Sequence, residues 1–130
     1  LVTNWNMSTL TERPPSPEWR DGSSNQFTGT AIRPGRLQDF DEGRFALYRT
    51  RFEPLSAVRK AGGQLVFAEL VGKAEVWIDG KLAGEKSSAA GDKFAVELPP
   101  GDGPRAVNVL IEAPPGTQAG LGGAVVVESR

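Results

Sequence analysis

Ala74-Glu75-Val76-Trp77-Ile78-Asp79-Gly80-Lys81-Leu82-Ala83-Gly84-Glu85 restricts the fold of this chain more than any other stretch. Ala74, Val76 and Ile78 alternate with Glu75, Trp77 and Asp79, a period of two that specifies a half-buried strand with Trp77 on the face opposite the core. Asp79-Gly80 then supplies two residues that tolerate positive φ, the chemistry of a two-residue hairpin turn, and Lys81-Leu82-Ala83 begins the return strand. An antiparallel hairpin is therefore expected at the centre of the fold.

Composition extends that expectation to the whole chain. Sixteen Gly and ten Pro among 130 residues are spread between short apolar runs, which points to many turns, few helices and an all-β class. The length suits one domain, residues 1–130, large enough to bury a core. Fifteen Lys and Arg against sixteen Asp and Glu leave a net charge of −1, so charge points to neither a nucleic-acid nor an anionic-membrane partner. No apolar run approaches the length of about 18 residues that spans a membrane as a helix. The absence of cysteine removes disulfides and thiolate chemistry without fixing the compartment. A bacterial periplasmic or secreted location is favoured over a cytoplasmic one. The chain begins at Leu1 without a leader, which reads as a piece of a longer protein.

Short strands and turn signals follow one another along the chain. Asn4-Trp5-Asn6-Met7-Ser8 alternates as a first strand, and Asn6-Met7-Ser8 is also a glycosylation sequon, a common chance occurrence. Arg13-Pro14-Pro15-Ser16-Pro17 is extended, since each Pro disfavours helix in its predecessor and lacks a donor for a sheet. Gln26 to Ile32 reads as a strand, and 39–43 as a loop. Phe45 to Glu53 is a clearer strand, with Ala46, Tyr48, Thr50 and Phe52 on one face and Arg49 and Arg51 on the other. Pro54 stops it. Leu55 to Lys60 can form a helical turn before Gly62-Gly63, and Gln64 to Val71 reads as one strand. After the hairpin and a polar loop, Ser87 to Asp92, the strands Phe94 to Leu98 and Arg105 to Glu112 flank a Pro-Gly turn. Ala119-Gly120-Leu121-Gly122-Gly123 reads as a flexible stretch before a last strand, Ala124 to Glu128. Eight or nine short strands suit a jelly-roll β-sandwich.

Several of these pieces, in order, resemble one family. The central hairpin is similar to the "EVWVNGKLVGEH" hairpin in the non-catalytic sugar-binding β-sandwich of family 2 glycoside hydrolases, the β-galactosidase, β-glucuronidase and β-mannosidase group. Tyr48-Arg49-Thr50-Arg51-Phe52 resembles that family's "YRRTF" strand and Leu65-Val66-Phe67 its "VFLRFEGV" strand. Phe94-Ala95-Val96-Glu97-Leu98 resembles "FEFDVT", and Ala106-Val107-Asn108-Val109-Leu110-Ile111 resembles "NTLAVRV". The similarity runs from Phe45 to Glu112, while the first 44 residues match poorly, and Asp79 stands where the family usually has Asn. The resemblance implies a galactose-binding-domain-like sandwich from an enzyme of the β-galactosidase type, serving carbohydrate binding or packing against the catalytic barrel. Its partners would be carbohydrate, the other domains of the parent enzyme, or both.

The residues themselves offer little catalytic chemistry. Glycoside hydrolysis needs two carboxylates across a sugar, and nothing here resembles the barrel that presents them. With no His and no Cys, the usual metal-hydrolase and nucleophile-base sets lose their parts, so no catalytic residue is assigned. Asp39, Asp41 and Glu42 could give oxygen ligands to a structural calcium ion, but they make only a fragment of a calcium loop, and a solvated turn is the better reading. No other cofactor is expected. Gly120-Leu121-Gly122-Gly123 is no phosphate cradle, since no helix follows it. Aromatic rings stack on sugars, which makes Trp5, Trp19 and Trp77 the carbohydrate contacts to test. Trp19, beside Arg20 and Asp21 in a Pro-rich loop, is the expected solvent-facing platform. Trp77 equally suits packing on a neighbouring domain, and Trp5 suits closing one end of the core. The alternatives are a free-standing carbohydrate-binding module, needing an exposed ring platform, and a structural interaction domain, needing a flat apolar patch.

Overall fold

A computed structural model of the chain describes residues 1–14, 17–20, 29–41, 43–88 and 93–129. The architecture is an all-β sandwich. A six-stranded antiparallel sheet runs in the order β2 (Thr30–Ile32), β1 (Trp5–Leu10), β4 (Phe45–Phe52), β10 (Arg105–Glu112), β7 (Lys73–Ile78) and β8 (Lys81–Lys86). Two three-stranded sheets complete it. One joins β12 (Val125–Ser129), β5 (Gly63–Phe67) and β9 (Phe94–Leu98), and the other joins β3 (Gln38–Asp39), β11 (Gln118–Leu121) and β6 (Leu70–Val71).

Alternation decides which face each strand buries. Ala46 and Tyr48 of β4, Val107, Val109 and Ile111 of β10, and Ala74, Val76 and Ile78 of β7 enter one apolar cluster. Leu65, Phe67, Val96, Leu98, Leu70, Leu121 and Val125 from the two smaller sheets meet them there. This layer is the main source of stability, because each such side chain contributes about 1.5–3 kcal/mol when fully buried. At the centre, β10 pairs with β4 on one side and β7 on the other, in continuous register from Val107–Thr50 and Val107–Ile78 to Glu112.

The hairpin forms as expected, but with β8 as an edge strand it lies at one side of the six-stranded sheet rather than at its centre. Asp79 and Gly80 both adopt left-handed backbone conformations, with φ of 50° and 81°, which joins β7 to β8 through a turn whose twist matches the strands. The turn is tied down further: Asp79 accepts hydrogen bonds from Arg105 Nε at 2.6 Å and from the Ala106 amide at 2.9 Å. A register shift between Val76 and Trp77 places a bulge in the ladder to β8. The helical turn is also present, as α1 (Ser56–Ala61), closed by Gly62 at φ 77° with its amide bonded to the Val58 carbonyl.

Three expectations are corrected. Twelve strands are present among the described residues rather than eight or nine, because several are only two to four residues long. Gln64 to Val71 is not one strand. At Ala68 and Glu69 the chain leaves the sheet of β5 and re-enters as β6 in the other small sheet, held by Ala68 N to Ala124 O and Gly122 N to Glu69 O, both 2.9 Å. The glycine-rich 119–123 is not merely a flexible approach either, since its first part is β11, paired with both β3 and β6. Gly120, at φ 93°, lies so close to the Tyr48 hydroxyl and the Gln38 side chain that a Cβ there would collide with both. Of the expected strand Gln26 to Ile32, residues 30–32 form β2, and 26–28 lie outside the described residues.

Candidate binding face

The outward face of the six-stranded sheet carries most of the functional candidates. Register sets its side chains in rungs. Asn6, Arg49, Asn108, Trp77 and Leu82 lie side by side across β1, β4, β10, β7 and β8. The neighbouring rung is Ser8, Leu47, Leu110, Glu75 and Glu85. Such a face would ordinarily be solvated. Here part of it is covered.

A strap formed by Arg13 and the short 3-10 turn Pro17–Arg20 crosses the β10–β7 side. Trp19 packs with Phe45, Leu47 and Leu110 in a second apolar cluster, with Trp77 and Leu10 at its margin. The Trp19 and Trp77 rings meet edge to face, with centroids 5.8 Å apart at 77°. The Arg20 guanidinium sits 4.5 Å from the Trp77 ring centroid and 5.6 Å from that of Trp19. That places a cation against both indoles and over the half-buried Trp77. The Asn108 amide fixes the strap from below by donating to the Arg20 carbonyl at 3.0 Å.

Charge locks the other end. Arg13 donates twice to Glu75, at 2.6 and 2.9 Å, the bidentate geometry in which guanidinium and carboxylate match best. Glu75 Oε1 also accepts from Trp77 Nε1 at 3.1 Å. The Arg13 hydrogen bonds, aided by that indole, hold the Glu75 carboxyl below its usual range against the opposing effect of burial. The same bonds raise the Arg13 guanidinium.

This arrangement corrects the expected role of Trp19. Its side chain is 1% exposed, so it is not a solvent-facing platform; an indole beside an apolar rung gains more from burial than from exposure. Trp5, 2% exposed, belongs to the main core, tilted against Phe67 with its Nε1 donating to the Val2 carbonyl at 3.0 Å. Trp77 stands on the outer face, as its period predicts, beneath Arg20. The structure therefore brings Trp19 and Trp77 together and leaves Trp5 in the other layer. Arg13, Arg20 and Asn108 were not foreseen. Glu75 two residues before Trp77 was a readable hint of a polar partner, whereas the Arg13–Glu75 pair spans 62 residues and has no local signature.

Of the candidate calcium ligands, Glu42 lies outside the described residues. Asp39 accepts a hydrogen bond from Gln118 at 3.0 Å, and Asp41 takes a left-handed conformation at φ 44° in the following turn. Both border an open cleft of about 580 Å³ with Met7, Leu10, Leu37 and Gln38. Among the described residues no group of three metal-ligating side chains converges.

No protein-family model matches the sequence, and no curated protein matches it. Solved structures do. A β-glucuronidase of Bacteroides uniformis superposes with a TM-score of 0.70 at 14% identity, over 93% of this chain and 16% of that one. A β-glycosidase from Bacteroides vulgatus gives 0.69 at 19% identity, over 98% and 20%. A glycosyl hydrolase family 2 member from Bacteroides cellulosilyticus gives 0.69 at 12% identity, over 93% and 19%. The chain thus spans about a fifth of the length of each of these enzymes. It has the fold of a small β-sandwich found within family 2 glycoside hydrolases.

Proposed function

We propose that this chain is one non-catalytic β-sandwich domain of a larger family 2-type glycoside hydrolase, and that it packs against the enzyme's other domains. The observation that carries this reading is the mismatch in coverage, with nearly the whole chain but only about a fifth of each enzyme superposing. The ordered set of strand motifs from Phe45 to Glu112 supports it independently. Packing is favoured over a ring-stacking sugar site because Trp5 and Trp19 are buried and Arg20 sits over Trp77.

The β-galactosidase type of the parent rests on the motif resemblance, while two of the similar structures are described as a β-glucuronidase and a β-glycosidase. Assay of the purified 130-residue chain and of the longer polypeptide with p-nitrophenyl β-galactoside and β-glucuronide tests both levels. The expected result is no turnover by the chain and hydrolysis of the galactoside by the longer protein. Turnover by the chain itself would overturn the non-catalytic reading. Preference of the longer protein for the glucuronide would overturn the galactosidase type alone.

A further inference from the structure

Beyond the strap, the outward face is polar and cationic. A cleft of about 570 Å³ opens between β2, β1 and β4, lined by Asn4, Asn6, Arg33, Arg49, Thr50 and Arg51 over a backing that includes Trp5 and Ile32. It adjoins a smaller one of about 240 Å³ that shares Asn6, Arg49, Thr50 and Arg51 and reaches Asn108. No acidic side chain among the described residues lines either. With no carboxylate among its described lining residues, the concavity gathers the positive charges of Arg33 and Arg51 where field lines are focused. The larger volume falls within the range of about 300–1,000 Å³ typical of small-molecule sites.

The neutral groups narrow the ligand. Thr50 lies on the opposite face of β4 from Arg49 and Arg51 and donates its hydroxyl proton to the Asn4 carbonyl at 2.5 Å, which holds Asn4 at the rim of the cleft. Asn4 and Asn6 are exposed and offer both donors and acceptors. At the inner end, Asn108 is 1% exposed and its Oδ1 has no hydrogen-bond partner, a buried acceptor of the kind usually satisfied. A simple anion would use the arginines and leave these groups idle. A ligand with one carboxylate and several hydroxyls uses both sets.

We infer that this cleft binds carboxylate-bearing saccharides, with Arg33 and Arg51 gripping the carboxylate and Asn4 and Asn6 meeting ring hydroxyls. Guanidinium geometry matches a carboxylate bidentately, and the exposed position of Arg33 and Arg51 leaves both able to turn toward it. The site does not rest on the domain-packing reading, because a chain that packs differently, or belongs to another enzyme, would carry it unchanged.

The test is a heteronuclear NMR titration of the chain with sodium D-glucuronate and D-galacturonate. Glucose and galactose serve as neutral controls, with sodium acetate and phosphate at matched ionic strength as simple anions. Saturable shifts at amides 31–33 and 49–51 are expected with a uronate, at least about tenfold weaker with every control. Arg51→Gln and Arg33→Gln, both at exposed positions, should each weaken binding by about tenfold with the rest of the spectrum preserved. No shift with either uronate would overturn the inference. So would an equal response to neutral sugars, an equal response to acetate or phosphate, or undiminished binding in both variants.

Discussion

At the scale of single residues, the outer face is held by a few polar atoms whose partners are far apart in sequence. Glu75 is the clearest case. Its carboxyl is held below the usual range mainly by Arg13, so the folded state favours the charged form. A depressed folded pKa contributes stability above the unfolded pKa, and that contribution disappears as pH falls through the folded value. Because Arg13 is 46% exposed, solvent screens the pair and its contribution is about 1 kcal/mol or less. Urea denaturation of Glu75→Gln should therefore show a deficit of that size at pH 7 and none well below the carboxylate range. An unchanged deficit at both would assign it to packing instead. Gly120 makes a different kind of demand. At φ 93° against Tyr48 and Gln38, Gly120→Ala should cost about 2 kcal/mol or more, read as a lower urea midpoint with unchanged slope. Nothing at Gly120 announced this in the sequence. A glycine run reads as slack until the Tyr48 hydroxyl, donating to Gln38 Oε1 at 2.8 Å, is found beside it.

Among the elements, the hairpin was legible because its signals are local. Alternation fixes which side chains enter the core, and Asp79-Gly80 fixes the turn. What pattern could not give is the role of the Asp79 side chain, which reaches Arg105 and the Ala106 amide at the start of β10. Asp79→Asn keeps a residue tolerant of positive φ and an acceptor for the Ala106 amide, gives up only the carboxylate partner of Arg105, and should cost about 1 kcal/mol. Asp79→Ala likewise removes the carboxylate from Arg105, whose side chain is 8% exposed, and also loses the φ tolerance and the acceptor; a loss of about 2 kcal/mol or more is expected. Thermal unfolding of the two variants measures the difference. The break between β5 and β6 escaped the sequence reading for the converse reason. Leu65, Phe67 and Leu70 are all apolar, and the switch between sheets depends on partners near residues 122–124.

On the scale of the whole molecule, the sandwich has two apolar layers of unequal size, one between the sheets and a smaller one under the strap. The second layer explains why β10 is buried along both faces: Val107, Val109 and Ile111 point inward, and Asn108 and Leu110 lie beneath Arg20 and Trp19. Trp19→Ala should cost about 3 kcal/mol, the scale of a buried aromatic truncation, rather than the small effect of removing an exposed ring. The sequence foretold the all-β class and the outward Trp77, because periodicity carries both. It could not place the strap, whose sequence has no pattern of its own and whose Arg13, Trp19 and Arg20 are held, among the described residues, by Glu75, Asn108 and the second apolar cluster.

The most direct test of this architecture follows the three indole N–H signals of the isotope-labelled chain during titration with galactose, lactose and a β-linked galactan. With Trp5 and Trp19 buried and Trp77 beneath Arg20, none should show a saturable shift at millimolar neutral sugar. A saturable shift of Trp19 or Trp77 would contradict the account, making the strapped face a sugar-stacking site rather than a closed second layer.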